Sequence, residues 1–213
     1  MSILRFALVC IMAWGTFHFV IAPPAPVLET DIAETHPWPA ERPLPTIDAE
    51  PMQFDLADDG RPFAVGETDI HLTPKATFEL RARVLSTRNY RLGRESRVSP
   101  RDLALGWGPM ADDEILEGIR ITQSGRWYTW RAGTLPMPRQ AIDRHSSNMH
   151  MIAGNPAAMS DLKRVRTGDE ITLRGHLVDV ADGDGGIWRT STSRTETGAG
   201  ACEIVLIESL IIH

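Results

Sequence analysis

The sequence predicts a mainly β protein with short helices (α+β), a small closed or partly open barrel with OB-like features, behind an N-terminal membrane helix. Three observations carry this. Residues 6–22 hold no charged side chain. Eight prolines fall within residues 23–51. The remaining 140 residues from Pro74 carry several alternating apolar stretches separated by Gly, Pro and Asp signals.

The first element reads FALVCIMAWGTFHFVIA, with Arg5 on its N-terminal side. A span needs about 20 mostly apolar residues, and Ile3 and Leu4 bring the stretch close to that length if Arg5 snorkels toward the headgroups. Val20 and Ala22 have sizes suited to signal-peptide cleavage, but Pro23 is a poor residue to follow the cut. The expectation is an uncleaved anchor over residues 1–22, a single pass through the inner membrane, with the C-terminal part in the periplasm. The alternative is a secreted periplasmic protein after cleavage. Residues 23–73 read as a Pro-rich acidic stalk, extended by its prolines. Residues 27–73 hold 11 acids and two arginines, a net of −9, whereas residues 74–213 hold 17 acids and 19 bases, a net of +2. With Arg5 these give the whole-chain −6, so the acidity belongs to the stalk. Pro37-Trp38-Pro39 is the part of it best suited to dock a partner.

Residues 74–213 read as one β-rich domain. Phe78, Leu80, Ala82 and Val84 alternate with polar neighbours, as in a half-buried strand. Ser99-Pro100-Arg101-Asp102 has the form of a helix start, and Gly106-Trp107-Gly108-Pro109 would stop that helix. A second short helix is expected over 111–118, a strand pair at 119–122 and 126–131, one or two helical turns over 138–145, and a helix over 156–165. Ile171, Leu173, Gly175 and Leu177 alternate and then give way to Val178 and Val180; Gly175 is a natural site for a bulge. Asp182-Gly183-Asp184-Gly185-Gly186 turns the chain into a strand at 187–192, and residues 203–212 form a continuous apolar strand.

The stretches Ser99-Pro100-Arg101-Asp102-Leu103-Ala104-Leu105-Gly106-Trp107-Gly108, His145-Ser146-Ser147-Asn148-Met149-His150 and Thr197-Gly198-Ala199-Gly200-Ala201-Cys202-Glu203 resemble a family of uncharacterised bacterial envelope proteins. The resemblance covers most of residues 76–208. It implies a bacterial source and an exported location, and it brings no activity.

Candidate chemistry centres on two places. Cys202 is the one cysteine outside the membrane segment, so no intrachain disulfide is available to it. Residues 145–151 are the densest set of polar and coordinating side chains, expected as a loop that caps a barrel end, with Ser146 and Ser147 bonding backbone groups. Cys202 with His145 or His150, oriented by Asn148, has the residue types of a nucleophilic site. Histidines five apart point to different sides of a helix or strand, so a soft metal site of His145, His150 and Cys202 would require a loop to gather them. Gly198 and Gly200 fit an anion-binding nest. Seven arginines within residues 81–101, Arg91 and Arg94 among them, with Trp107 and other aromatics following, suit an anionic ligand. Export argues against nucleic acid as that ligand. No Walker motif is present and no Gly-x-Gly-x-x-Gly follows a strand, so no cofactor is expected.

Two functional classes follow. The first is a membrane-tethered extracytoplasmic binding or interaction module acting on an anionic ligand or an envelope protein. The second is a thiol- or metal-dependent, hydrolase-like envelope enzyme using Cys202 with His145 and His150.

Overall fold

The computed structural model describes residues 43–56, 60–193 and 202–213. The membrane segment, the Pro-Trp-Pro motif, Gly198 and Gly200 lie outside the described residues. Among the described residues no helix is long and apolar enough to cross a membrane.

The protein is mainly β, and its central feature is a ring of five strands. In chain order the strands are β1 (Met52–Asp55), β2 (Phe63–Ala64), β3 (His71–Asn89), β4 (Arg101–Gly106), β5 (Ile119–Ser124), β6 (Trp127–Ala132), β7 (Ser146–Ala153), β8 (Glu170–Ala181), β9 (Ile187–Trp188) and β10 (Glu203–Ile212). Among the described residues three α-helices lie between them: α1 (Asp113–Glu117), α2 (Arg139–Arg144) and α3 (Pro156–Arg164). β3 is 19 residues long, enough to pair with β8 along its first two thirds and with β4 along its end. β4 continues to β7, β7 to β10 in parallel, and β10 back to β8, so the pairings close on themselves. β1 and β2 add to β3, and β9 adds to β8. β5 and β6 form a separate two-stranded sheet.

Side-chain alternation explains the ring. Phe78, Leu80, Leu103, Leu105, Met149, Met151, Leu173 and Val205 all belong to one buried apolar cluster. Each is flanked along its strand by residues of the opposite face. Helix α3 adds Ala158, Met159 and Leu162 to the same cluster. Its start is fixed by Asn155, whose side chain accepts from the Ala158 amide at 2.8 Å, and by Pro156 in the first turn. Its end is held by Arg101, which donates to the carbonyls of Leu162 at 2.7 Å and Val165 at 2.5 Å.

Several local expectations change. The segment opened by Ser99 and Pro100 is strand β4, not a helix. Leu103 and Leu105 face the interior while Asp102 and Ala104 face a second covered surface, and pairing with β3 and β7 overrides the local start signal. The segment expected as a loop, 145–151, is mostly strand β7 for the same reason: Ser147, Met149 and Met151 face one way and Ser146, Asn148 and His150 the other. Gly175 is not the bulge. The register breaks lie in the strands beside β8, between Pro74 and Ala76 and between Ile207 and Ser209. Gly175 instead permits close approach, since a Cβ there would sit 1.9 Å from the Leu206 carbonyl oxygen. Nor does the alternation slip at Val178. Leu177 lies in the interior cluster and Val178 and Val180 in a second cluster outside the ring. The strand expected at 187–192 is two residues long.

Part of the expected stalk packs on the ring. Besides β1 and β2, Glu50 accepts from Trp107 Nε1 at 3.1 Å, and the Ile47 carbonyl accepts from the Gly108 amide at 2.8 Å.

Candidate binding site on the outer face of the ring

The outer surfaces of β4 and β7 carry polar side chains that are nonetheless buried. Asp102 stands opposite His150 and Ala104 opposite Asn148. Asp102 is 0% exposed, Asn148 1% and His150 2%. A carboxylate removed from water this completely needs a cation and hydrogen-bond donors around it.

The cation is Arg126, at the tip of the β5–β6 hairpin. Its Nη1 donates to Asp102 Oδ1 at 2.7 Å and its Nη2 to the Ser99 carbonyl at 2.8 Å. The guanidinium carbon lies 3.9 Å from the centroid of the Tyr90 ring and 5.6 Å from that of Trp188. Tyr90 also accepts, through its hydroxyl, a hydrogen bond of 3.0 Å from the Arg126 amide. Arg126 has φ of 72°, the one non-glycine residue with positive φ among the described residues. That conformation is uncommon for a side chain of this kind and aims it down from the tip.

Asn148 binds the other side of the carboxylate. Its Nδ2 donates to the Arg126 carbonyl at 3.1 Å and more weakly to Asp102 Oδ2 at 3.4 Å, while its Oδ1 accepts from Gln123 Nε2 at 2.6 Å. His150 Nδ1 lies 3.0 Å from Asp102 Oδ1 without a hydrogen bond forming, and its ring meets Trp188 at 4.6 Å between centroids. Burial pushes the Tyr90 hydroxyl above its ordinary value, with the Asp102 charge adding to the effect.

Trp188 also lines a cleft of about 220 Å³. Ile70, Val98 and Val180 give this cleft apolar walls, and Arg94 and Arg97 stand at its rim. Arg97 pairs with Asp69 at 2.8 Å, and Arg94 pairs with Asp182 and lies 3.6 Å from Asp184.

Cys202 precedes β10 on the same side as Asn148, because Glu203 stands opposite Met149 in the parallel pair. Its thiol is pushed up to about 11, first by burial and then by the charges of Glu203 and Asp102; a hydrogen bond with Asn148 opposes the shift. The thiol is therefore protonated at neutral pH, the opposite of what a nucleophile requires.

The structure gathers some of the residues singled out by sequence and separates others. Cys202, Asn148 and His150 share one surface. His145 does not: it closes α2, with Nδ1 2.7 Å from the Ala141 carbonyl and Nε2 3.4 Å from Glu50 Oε1. Five residues of extended chain, roughly 16 Å, separate it from His150. The soft metal site of His145, His150 and Cys202 is thus not assembled, and among the described residues no three His, Cys, Asp or Glu side chains converge to hold a metal. Trp107 is a core residue, 2% exposed. Ser146 donates to the Ile142 carbonyl at 2.7 Å, and Ser147 donates to Glu203. Arg91 is exposed on the loop after β3, whereas Arg94 stands at the cleft.

No family model, no curated protein and no solved structure matches the chain. Asp102, Gln123, Arg126 and Trp188, four residues that sequence reasoning passed over, form most of the site. The available signal was an acid directly before the apolar run Leu103-Ala104-Leu105, which only a covered outer face makes meaningful.

Proposed function

We propose that the chain is a membrane-tethered binding module of the bacterial envelope, anchored by residues 1–22, with its recognition surface on the outside of β4 and β7. The ring is read as a small closed barrel with OB-like connectivity. In support, β3 pairs with both β4 and β8, β7 pairs in parallel with β10, and a helix joins β7 to β8. OB-folds bind ligands on the face of their second and third strands, between the loop joining strands one and two and the loop joining strands four and five. The equivalents here are β4 and β7, the loop of residues 90–100, and the connection that begins at residue 182.

The observation that carries the reading is a charged set buried on that surface beside an apolar cleft, with Trp188 shared between them. Convergent polar groups next to an apolar hollow are the usual anatomy of a binding site. Because Arg94 and Arg97 are each paired with aspartate, the cleft favours a ligand of balanced charge over a polyanion. A thiol enzyme built on Cys202 and either histidine has less support, given the raised thiol and the distant His145.

The test uses the full chain in nanodiscs, screened against envelope glycans and against peptides. Ligands of this surface should lose at least tenfold in affinity on Trp188→Ala and be indifferent to Arg144→Ala at the end of α2. A ligand that ignores Trp188→Ala would place recognition elsewhere and sink the reading. The thiol is checked separately in a Cys10→Ser background. Maleimide labelling of the folded chain should be slow at pH 7 and accelerate about tenfold per pH unit toward 11. Rapid labelling at pH 7 would revive the thiol enzyme.

A further inference from the structure

The Arg126 guanidinium sits in a box that fits that group closely. Asp102 Oδ1 takes one terminal nitrogen at 2.7 Å and the Ser99 carbonyl takes the other at 2.8 Å. The Tyr90 ring covers one side at 3.9 Å and Trp188 stands at 5.6 Å. We propose that this box is an arginine receptor held shut by the chain's own Arg126, and that an arginine side chain of a partner polypeptide takes its place when the hairpin tip lifts. The proposal rests on the binding-module reading and names its ligand.

The first reason is the origin of the box. Asp102 lies on β4, Ser99 just before it, Tyr90 just after β3, His150 on β7 and Trp188 on β9. None of these belongs to the hairpin, so the walls of the box are supplied by other parts of the chain, with one hydrogen bond from the Arg126 amide to the Tyr90 hydroxyl joining the two. Arg126 and Gln123 alone of the groups described around Asp102 come from β5–β6 and its turn. Lifting the tip removes the occupant and leaves the receptor.

The second reason is how the tip is held. β5 and β6 pair with each other and with no strand of the ring. Their base is secured by the apolar cluster of Met110, Ile119 and Ile142, with Ile121, Trp130 and Ala132 packed against it, and Tyr128, one pair below the tip, is the last residue of the hairpin to reach that cluster. The tip depends on polar contacts and on a residue with φ of 72°. Opening beyond Tyr128 breaks those polar contacts and leaves the apolar cluster at the base intact.

The third reason is chemical selectivity. The two acceptors lie where a planar fork presents two N–H groups, and the aromatic face stacks on a delocalised cation. A lysine ammonium offers a compact point charge and cannot meet both acceptors while stacking. Once the tip lifts, the buried Asp102 carboxylate lacks its cation, which drives capture of another. The cleft beside Trp188 gives the incoming chain a place to lie.

The experiment titrates N-acetyl-arginine amide into the full chain in nanodiscs, for the wild type and for Arg126→Ala. The melting temperature of Arg126→Ala should rise with the probe, and the wild type should need at least tenfold more for the same response. The lysine analogue should act less than one tenth as well. Adding Asp102→Asn to Arg126→Ala should abolish the response. Absence of rescue, or equal rescue by the lysine analogue, overturns the proposal. Should Arg126→Ala fail to fold, Arg126→Lys keeps a charge in the box and should respond between the other two; a response no better than wild type overturns the proposal. In the wild type, hydrogen exchange at the Arg126 amide should accelerate with saturating probe while the hairpin base is unchanged; an unchanged tip overturns the proposal. A dimer abolished by Arg126→Ala would mean that a second copy supplies the arginine, and would overturn the partner assignment. An envelope ligand that needs Trp188 but is indifferent to Arg126→Ala and Asp102→Asn would leave the binding module standing and remove the arginine receptor alone.

Discussion

Asp102 and Leu103 are consecutive residues, each 0% exposed, and they are buried in opposite ways. Leu103 points into the ring, where apolar side chains from five strands and a helix meet. Asp102 points out of it, where a carboxylate is matched by an arginine, an asparagine and a histidine. The interior tolerates any apolar set of suitable volume. The outer surface works only as a complete set, and part of that set is delivered by a hairpin the ring does not otherwise pair with. The difference separates what makes the fold from what the fold presents.

Substitutions can break or sharpen that contrast. Phe78→Ala in the interior should cost about 3–5 kcal/mol, read from the denaturant midpoint. Arg126→Ala should cost about 2–3 kcal/mol. That is less than the loss expected for a fully buried pair, because the arginine side chain is 16% exposed. Here a partner substitution matters: Asp102→Leu combined with Arg126→Met should recover most of the loss, as apolar replacement of buried ion pairs often does. A double variant as unstable as the sum of the singles would show that the two surfaces are not separable in this way.

Gln123→Ala leaves Asn148 Oδ1 without its donor and should cost about 1–2 kcal/mol, measured the same way. The last effect shows only above pH 9. The Cys202 thiol ordinarily titrates near 9.0 and is raised to about 11, so the folded chain keeps a proton that the unfolded chain has already lost. Its contribution to stability is whole below pH 9 and declines as pH rises from 9 to 11. The melting temperature of the wild type should therefore fall more steeply over that window than that of Cys202→Ser. Parallel curves would mean that the thiol is not held protonated by the fold.

Three of the five ring strands were readable in the amino-acid sequence, because β3, β8 and β10 show their buried faces as alternation or as a continuous apolar run. β4 and β7 were not. Both are covered on two sides, so their second faces carry Asp102, Asn148 and His150 where an ordinary half-exposed strand would carry solvated groups. Ser99 and Pro100 imitate a helix start, and the histidine-rich segment imitates a loop. Each imitation is local, whereas the pairing that overrules it comes from β3 and β10 in distant parts of the chain, and the covering of the second face from Arg126 and Trp188. The site was legible as a list of types around Cys202 and His150. Its organising residue, Asp102, was hidden in what looked like a helix cap.

The parallel placement of β10 has a consequence for how the molecule is made. β10 lies between β7 and β8, and it follows both in the chain. Until it arrives, β7, β4, β3 and β8 can form only an open four-stranded sheet with two bare edges. Both edges are long and apolar on the side destined for the interior, the kind of surface that recruits unrelated strands. The nascent chain thus passes through a vulnerable stage that ends only when the strand after Cys202 is delivered. A chaperone that shields exposed edges should bind chains stalled before residue 203 and release those carried through residue 212.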